Sequence, residues 1–316
     1  MFLTEFQKKF VERETFKPKK FVFCDAFRDK QLAQGWVPSR ICYVEDRKTS
    51  MHLDTNSLSV LRRILMFFTQ ADLNVQKGQG DFFATSFKGC PEMLGMIGMF
   101  NAIESIHADA YSDFVDVLEF ESSFYTEFKE VEIFKQITTR TEKISNDLNQ
   151  ISNMSEWLDI LLINFVVSEG VYLFTFFILL LSFYRTFKSF HGLEEIVRYS
   201  IKDEILHVNA YRTLVYNLNK IDSNILNLWV NCCKIYKPTA LEIQKEIIDF
   251  IFREEYSVNE IQKDLLLDYA EFNYDAATSI DQQIARPNPI PWIGDYLNQL
   301  SVDFFSIKST AYKNVL

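Results

Sequence analysis

The stretch FNAIESIHADAYSDF, residues 100–114, decides the fold, because it places Glu104 three residues before His107 among apolar neighbours. A second stretch, SIKDEILHVNA, repeats that spacing with Glu204 and His207, although the chain has only four histidines. On a helix, residues three apart lie on one face, so each pair points in one direction. Two packed helices of this kind predict a buried site in which carboxylates and imidazoles bind two metal ions.

The composition favours a helical protein with a sizeable core. Of 316 residues, 48% are hydrophobic and 15% are aromatic, whereas 9 are glycine and 7 are proline. Long helices need few turn residues, and the sequence has no long strand-like alternation. The formal net charge of −10 is spread along the chain, which argues against a nucleic-acid-binding surface. The five cysteines form no CxxC pair and are expected to be reduced thiols of a cytosolic protein.

Four long helices are predicted to form the core. The first begins near Leu53, where polar residues can cap it, and runs through LSVLRRILMFFTQADL with helical spacing of its apolar positions. Gly78 and Gly80 are expected to end it, and Pro91 is expected to open the second helix. The candidate caps of the first helix are Asp54, Thr55 and Asn56.

The third core helix is the apolar run around Glu169, and Gly192 precedes the fourth. Further helices are predicted at roughly 222–235, 239–256 and 259–280. The segment RPNPIPW, residues 286–292, has three prolines and is expected to stop helix formation. The predicted fold class is therefore all-α, with a four-helix core bundle and additional helices around it.

One segment could be mistaken for a membrane span. Residues 160–184, ILLINFVVSEGVYLFTFFILLLSFY, are long and apolar enough to cross a bilayer, but they include Asn164 and Glu169. A lone carboxylate at membrane depth costs about 2.5–3.5 kcal/mol on insertion scales. A buried core helix that carries one functional carboxylate is therefore favoured over a transmembrane helix.

Two metal ions need more ligands than two carboxylates and two imidazoles, and the other two core helices supply them. Asp72 ends the apolar run ILMFFTQAD, and Glu169 lies inside the most hydrophobic stretch of the chain. Oxygen-rich ligation with one imidazole per ion suits iron or manganese better than zinc. The arrangement resembles that of ferritin-like dimetal proteins. The six candidate metal ligands are Asp72, Glu104, His107, Glu169, Glu204 and His207.

Each of these features has a simpler explanation when it is taken alone. A single ExxH on a helix usually belongs to a solvated face. Glu169 could be a buried carboxylate with a hydrogen-bond donor, and Asp72 could be a helix-end residue. The combination favours a dimetal site, because both ExxH pairs lie among apolar residues, where an unpaired charge would be costly.

The same residues resemble the small, radical-generating subunit of class I ribonucleotide reductase. In that family an Asp is followed by ExxHxxxY, by a lone Glu and by DExxH, which here read TQAD, ESIHADAY, VSEGVY and KDEILH. QGWVP near the N-terminus and NPIPWI and DFFSIKSTAY near the C-terminus also match, so the resemblance covers nearly the whole chain. It implies one ferritin-like domain over 1–316, with an N-terminal segment (1–50), a helical core (51–285) and a C-terminal segment (286–316).

The resemblance gives Tyr111 a role in storing an oxidising equivalent. Tyr111 follows His107 by one helical turn, and the family stores a tyrosyl radical at this position. A neutral radical survives where water and reductants are excluded, and Leu173 and Phe177 are expected to form an apolar wall. A packed core tyrosine is the alternative interpretation of Tyr111.

The resemblance also implies a relay that passes the radical to a partner subunit. From Tyr111 it would run through His107, Asp203 and Trp36 to a tyrosine of the C-terminal segment, for which Tyr312 is the candidate. Asp203 points away from the metal-binding face of its helix and could accept the outer N–H of His107. Trp36 could instead be an anchor of the core.

The implied function is that of the small subunit of ribonucleoside-diphosphate reductase. A dimetal centre would use oxygen to generate the tyrosyl radical, and a separate large catalytic subunit would use it to reduce ribonucleotides to deoxyribonucleotides. The resemblance implies a cytoplasmic homodimer that contacts neither nucleic acid nor membrane. Iron is the favoured metal, and manganese or a mixed manganese–iron pair stays open. The alternatives on the same scaffold are a dimetal oxidase or oxygenase, a ferroxidase or iron-storage protein, and a degenerate scaffold subunit.

One position departs from the family pattern. Phe100, four residues before Glu104, stands where many members carry a Trp or Gln that can hydrogen-bond the Asp ligand. A phenylalanine offers no such donor. Asp72 is therefore expected to lack this hydrogen bond, which leaves the metal identity open.

Overall fold

Helices make up nearly all of the regular structure in the computed structural model. It describes residues 2–13, 15–121, 123–136, 139, 148–253, 257–280 and 287–299, without the side chains at 70–74, 129, 149, 298 and 299. In chain order the α-helices are α1 (Phe2–Phe6), α2 (Phe23–Gln34), α3 (Val44–Ser50), α4 (Thr55–Ser86), α5 (Pro91–Val117), α6 (Phe124–Glu127), α7 (Met154–Leu161), α8 (Leu173–Phe187), α9 (His191–Ile221), α10 (Ile225–Phe252), α11 (Lys263–Thr278) and α12 (Pro291–Gln299).

Shorter helical segments connect these elements. Two of them have π-helical geometry, Gln7–Val11 and Leu162–Tyr172. The second lies directly between α7 and α8, so residues 154–187 form one continuous helical run. Three more segments are 3-10 turns, Pro38–Arg40, Phe128–Glu130 and Leu148–Gln150.

The four-helix core predicted from the sequence is confirmed. The helix α4 packs on α5, α5 packs on α9, α9 packs on the run 154–187, and that run packs back on α4. Each helix therefore has two neighbours around a common interior. Because the candidate ligands stand on all four helices, this arrangement directs them to one place.

The ends of the core helices have identifiable causes. The side chain of Asp54 accepts a hydrogen bond of 2.9 Å from the backbone N–H of Ser57 and so caps α4. Pro91 stands in the first turn of α5, where its missing N–H leaves no bond unmade. The buried carboxylate of Asp46 in α3 accepts from the backbone N–H groups of Gly192 and Leu193 at 3.0 and 2.9 Å and caps α9.

Two predicted helix boundaries were wrong. Gly78 and Gly80 do not end the first core helix, since α4 continues through both of them to Ser86. A glycine inside a helix costs about 1 kcal/mol relative to alanine. The packing of α4 against its neighbours, which buries Phe82 on Trp157 and Phe83 on Tyr211, outweighs that cost.

The predicted break between residues 235 and 239 was also wrong, because α10 runs through Pro238 without ending. A proline in a helix removes one hydrogen bond to the carbonyl four residues earlier, here that of Lys234. Lys234 and Pro238 are both exposed, so this carbonyl lies on the solvent side of the helix. Burial of the opposite face, which includes Trp229 and Ile247, keeps the helix continuous.

The C-terminal part of the described chain differs in detail from the prediction. An antiparallel hairpin pairs β1 (Ser257–Val258) with β2 (Ile261–Gln262), and its turn and second strand lie where a helix was expected from residue 259. Asn259 and Glu260 form its turn with φ values of 50° and 67°, a left-handed pair that reverses the chain. The proline-rich segment does interrupt the helices, and α12 begins at the last of its prolines, Pro291. The division into N-terminal segment, core and C-terminal segment stays a prediction.

The run Met154–Phe187 is long and apolar enough to cross a membrane, with a mean hydropathy of 2.0. Of its most apolar window, however, 94% is buried inside the fold. This is the buried core helix that the sequence predicted, with Glu169 fully buried within it.

Candidate metal centre

Five of the six predicted ligands meet in the interior of the bundle. Their side chains are each exposed by 1% or less: Glu104, His107, Glu169, Glu204 and His207. The sixth, Asp72, lies in α4, but its side chain falls outside the part of the chain that the structure describes. The helical spacing of three residues turns both ExxH pairs inward, as predicted.

Glu104 and Glu204 each place one oxygen beside each histidine. Nδ1 of His107 lies 3.5 Å from Oε2 of Glu104 and 3.2 Å from Oε1 of Glu204. Nδ1 of His207 lies 3.1 Å from Oε1 of Glu104 and 3.4 Å from Oε2 of Glu204. Both imidazoles therefore turn Nδ1 toward the same two carboxylates, which span the distance between them.

Glu169 joins the cluster on the His207 side. Its Oε2 lies 3.5 Å from Nδ1 of His207. Its other oxygen, Oε1, accepts hydrogen bonds from Nε2 of Gln79 at 2.8 Å and from the hydroxyl of Tyr211 at 3.2 Å. Two donors thus occupy one oxygen and leave the other facing the cluster.

These side chains form a donor set that fits metal ions. One ligand atom each from Glu104, Glu169, Glu204 and His207 lie within 4.8 Å of one another. Among the described residues, both oxygens of Glu104, both of Glu204 and Oε2 of Glu169 lack a hydrogen-bond donor although they are buried. Unsatisfied buried carboxylate oxygens are costly, and cations at their centre would satisfy them.

The electrostatics of the cluster lead to the same conclusion. Burial alone would raise the pKa of Glu104, but contacts with His107 and His207 outweigh it and lower that pKa to about 2. Burial raises the pKa of Glu169 to about 8, opposed by His207 and supported by the charge of Glu204. Positive charge placed among these three carboxylates would favour their ionised forms, since like charges in so small a volume otherwise favour protonation.

The two imidazoles supply that positive charge in the metal-free chain. Burial would lower the pKa of His107, but Asp203, Glu104 and Glu204 raise it well above its ordinary value. The pKa of His207 is raised in the same way by its carboxylate neighbours. Protons on the imidazoles thus hold positions of positive charge that divalent cations could take over.

Asp203 connects the cluster to Trp36, as the predicted relay requires. Oδ2 of Asp203 lies 3.2 Å from Nε2 of His107 and accepts a hydrogen bond of 3.0 Å from Nε1 of Trp36. The indole of Trp36 is 7% exposed and stacks on the ring of His107, with centroids 5.9 Å apart. The same indole also stacks on the ring of Tyr199, with centroids 5.0 Å apart.

The helix α2 supplies two further donors to the same carboxylate. Nε2 of Gln31 donates to Oδ1 of Asp203 at 2.6 Å, and Nε2 of Gln34 donates to it at 3.3 Å. Each oxygen of this buried carboxylate is therefore held by two partners. The carboxylate orients His107 from the side away from the cluster, as outer partners of metal ligands commonly do.

Tyr111 is fully buried in α5, one turn beyond His107. Its hydroxyl donates to Oγ of Ser200 at 3.3 Å, and its ring stacks on Phe68 with centroids 4.6 Å apart. The predicted wall residue Phe177 stacks on the same Phe68 at 5.3 Å. Leu173, the other predicted wall residue, is 2% exposed and belongs to the same core. The tail candidate Tyr312 lies outside the described residues.

Two residues at the cluster, Gln79 and Tyr211, were missed from the sequence. Gln79 stands seven residues after Asp72, two turns on along α4, so helical spacing could have indicated it. Tyr211 follows His207 by four residues, as Tyr111 follows His107, so the repeat is longer than ExxH. The ring of Phe100 lies 4.1 Å from that of His207 and packs against it.

The comparison with known families is decisive. A family model described as ribonucleotide reductase, small chain, matches residues 13–280. The chain belongs to this family.

Relatives of the ribonucleotide reductase small chain agree with this assignment. The probable ribonucleoside-diphosphate reductase small subunit of Invertebrate iridescent virus 3 is 26% identical over 96% of this chain and 85% of its own length. The beta subunit of ribonucleoside-diphosphate reductase from Buchnera aphidicola (subspecies Schizaphis graminum) is 23% identical over 89% and 82%. These relatives are subunits of an oxidoreductase.

Solved structures share the fold. The ribonucleotide reductase R2 subunit from Clostridium botulinum superposes with a TM-score of 0.77 at 17% identity, covering 90% of each chain. An R2-like ligand-binding oxidase with a Mn/Fe cofactor superposes with a TM-score of 0.67 at 16% identity, covering 85% of this chain and 97% of its own. The ferritin-like fold expected for this small chain is confirmed.

Proposed function

We propose that this small chain holds two transition-metal ions between His107 and His207 and uses oxygen to generate a tyrosyl radical on Tyr111. The observation that carries the proposal is the pair of carboxylates, Glu104 and Glu204, that each offer one oxygen to each imidazole. Glu104, Glu204 and the two imidazoles would hold the ions. Glu169, whose Oε2 lies 3.5 Å from Nδ1 of His207, and Asp72 would supply the remaining carboxylate ligands.

The bound metal pair would reduce dioxygen. The residues of the chain would bind the ions, orient His107 and exclude water from Tyr111. The carboxylates of the cluster hold the ions, and Asp203 holds the His107 ring in place through Nε2. Phe68 and its neighbours exclude water from Tyr111, which is 0% exposed. Oxidation of the phenol breaks its O–H bond, and both the electron and the proton would be consumed in the reduction of dioxygen. Exclusion of water and reductants would keep the resulting radical alive.

The relay to the partner is proposed to pass through Trp36. Oδ2 of Asp203 stands between Nε1 of Trp36 and Nε2 of His107, so one carboxylate oxygen links the indole to the ligand. A proton on Nε1 of Trp36 could shift toward this oxygen when the indole loses an electron. The oxidising equivalent would leave toward Tyr312 and then a large catalytic subunit that reduces ribonucleoside diphosphates.

We propose iron as the metal, with manganese or a mixed pair as the alternatives that the donor set also fits. A homodimer in the cytoplasm is proposed from membership of the family. A dimetal oxidase on the same scaffold remains the rival function, but it gives no role to the chain of contacts from His107 through Asp203 to Trp36. An iron-storage function likewise gives no role to the contacts from His107 through Asp203 to Trp36. A degenerate scaffold subunit would not retain so many metal-binding side chains.

The test is reconstitution of the full chain with iron and, separately, with manganese, followed by exposure to oxygen. We expect two metal ions per chain and an electron paramagnetic resonance signal of a tyrosine radical that Tyr111→Phe alters. Tyr274→Phe is the matched control, because this buried hydroxyl bonds to the carbonyl of Cys233 rather than to the cluster. Metal-loaded chain that forms no tyrosine radical, and does not activate a class I large subunit, would contradict the proposal.

A further inference from the structure

The repeat around the cluster extends to a second tyrosine. The two motifs read ESIHADAY in α5 and EILHVNAY in α9, so Tyr111 and Tyr211 each follow a histidine by four residues. On a helix this places each phenol one turn beyond its histidine. The two helices pack against each other in the bundle, and each half of the site therefore carries one buried tyrosine.

Tyr211 contacts the cluster directly. Its hydroxyl donates to Oε1 of Glu169 at 3.2 Å, and the other oxygen of Glu169 lies 3.5 Å from Nδ1 of His207. One carboxylate thus separates the phenol from the site of the metal pair. A carboxylate is also a suitable acceptor for the proton that a phenol releases when it is oxidised.

The surroundings of Tyr211 exclude water. The side chain is 0% exposed. Its ring is enclosed by three phenylalanines: Phe83 at 5.9 Å, Phe165 at 5.7 Å and Phe100 at 6.3 Å between centroids. Phenylalanine rings bring neither protons nor reducing groups, so this pocket meets the same requirement as that of Tyr111.

We infer that Tyr211 is a second redox-active tyrosine of the centre, oxidised by one electron when Tyr111 cannot be. The inference rests on the proposed function, and dioxygen is the oxidant. The electron leaves the phenol and is taken up in the reduction of dioxygen. The O–H bond of Tyr211 breaks, and its proton moves along the hydrogen bond to Oε1 of Glu169.

An oxidising equivalent on Tyr211 would stand outside the relay. Within the described chain, the hydrogen bond of Tyr211 is with Glu169 and its ring contacts are with three phenylalanines, whereas Trp36 and Asp203 contact His107 on the other side of the cluster. A radical there would be held without passing to the partner subunit. Tyr211 would thus retain an oxidising equivalent within the protein when the normal route is blocked.

The experiment compares iron-loaded wild type, Tyr111→Phe, Tyr211→Phe and the double variant after exposure to oxygen and rapid freezing. Paramagnetic resonance on chains made with β-deuterated tyrosine identifies tyrosine radicals. We expect Tyr111→Phe to retain a tyrosine signal with a changed hyperfine pattern, and the double variant to lose it. Tyr111→Phe/Tyr269→Phe is the control, because Tyr269 is equally buried but stands on α11.

A further variant keeps the test decisive if the double variant binds metal poorly. In Tyr111→Phe, replacement of Tyr211 by 3-fluorotyrosine keeps the hydroxyl and the packing, and a radical at this position would show splitting from fluorine. Absence of any tyrosine signal in metal-loaded Tyr111→Phe, or a signal without fluorine splitting, would overturn the inference. If wild type still forms its radical, only the inference fails; if wild type forms none, the proposed function fails as well.

Discussion

Nε1 of Trp36 donates a hydrogen bond of 3.0 Å to Oδ2 of Asp203, a residue 167 positions away in the sequence. The same oxygen lies 3.2 Å from Nε2 of His107. A residue of the N-terminal segment is therefore joined to the centre of the bundle through a single carboxylate. The helix α2, which ends two residues before Trp36, packs against both α5 and α9 and so brings Trp36 close to this carboxylate.

Trp36→Phe is expected to separate radical formation from its use. The variant keeps an aromatic ring but loses the N–H that bonds to Asp203, so the cluster stays intact while the link to it is lost. We expect unchanged metal content and a tyrosine radical, together with loss of turnover with a large subunit. Trp229→Phe is the control, since that indole donates to the carbonyl of Thr278. Full turnover by Trp36→Phe would show that radical transfer does not require the indole.

Glu204→Gln is expected to abolish stabilisation by metal ions. A bound ion stabilises the fold by about 2.7 kcal/mol when the free metal is about 100 times Kd. The neutral amide binds divalent ions weakly, so the melting temperature of the variant should not rise with manganese or fall with a chelator. Glu195→Gln, on the same helix, should keep the response to metal.

Gln79→Leu is expected to weaken metal binding about 10- to 100-fold, the usual effect of losing an outer partner of a ligand. The substitution removes the 2.8 Å hydrogen bond to Oε1 of Glu169 and leaves that carboxylate free to reorient. The dissociation constant is measured by titrating the protein with manganese and recording the paramagnetic resonance signal of the unbound ion. Gln76→Leu is the control, because Gln76 bonds to Asn101 and Ser105 instead. Equal affinities in the two variants would exclude a positioning role for Gln79.

Gly170→Ala is expected to lower the free energy of unfolding by about 1–3 kcal/mol, the usual cost of overpacking. An added Cβ would lie 2.7 Å from Cβ of Ala277 and 3.3 Å from Val208, because α11 and α9 approach the helix of Glu169 closely. Gly98→Ala is the opposite case, since nothing lies within 4 Å of its added Cβ. It should stabilise α5 by about 1 kcal/mol. Urea unfolding of the two variants tests both signs.

Glu92→Gln is expected to remove an acid-sensitive part of the stability. Burial would raise the pKa of Glu92, but the bidentate ion pair with Arg13 and hydrogen bonds from the backbone N–H groups of Lys20 and Phe21 outweigh it and lower that pKa to about 2 from an ordinary 4.5. A lowered pKa stabilises the fold above about pH 4.5, here by about 3 kcal/mol, and this contribution disappears as the pH falls toward 2.

The measurement is the difference in unfolding free energy between wild type and Glu92→Gln across that pH range. We expect it to be largest at neutral pH and to shrink on acidification. Glu246→Gln, on the exposed side of α10, should show little difference at any pH. A constant difference from pH 7 to pH 3 would mean that the ion pair does not set the acid response.

The core helices could be predicted because their signals are local. The period of 3.6 residues turns both ExxH pairs inward, and Asp54 and Pro91 mark helix starts through chemistry confined to one turn. The wrong boundaries have the opposite cause. At Gly78 and at Pro238 the local preference is to interrupt the helix, and packing against distant helices overrides it.

The sequence by itself determined which residues face the interior of the bundle. The spacing of three puts Glu104 and His107 on one helix face, and Glu204 and His207 on another, and their apolar neighbours make each of these faces the buried one. Only the tertiary structure decided which oxygen lies beside which imidazole, and that Gln79 and Tyr211 share Oε1 of Glu169. Those contacts join residues up to 103 positions apart in the chain, as Glu104 and His207 are. They depend on how four helices pack, and no spacing within one helix encodes that.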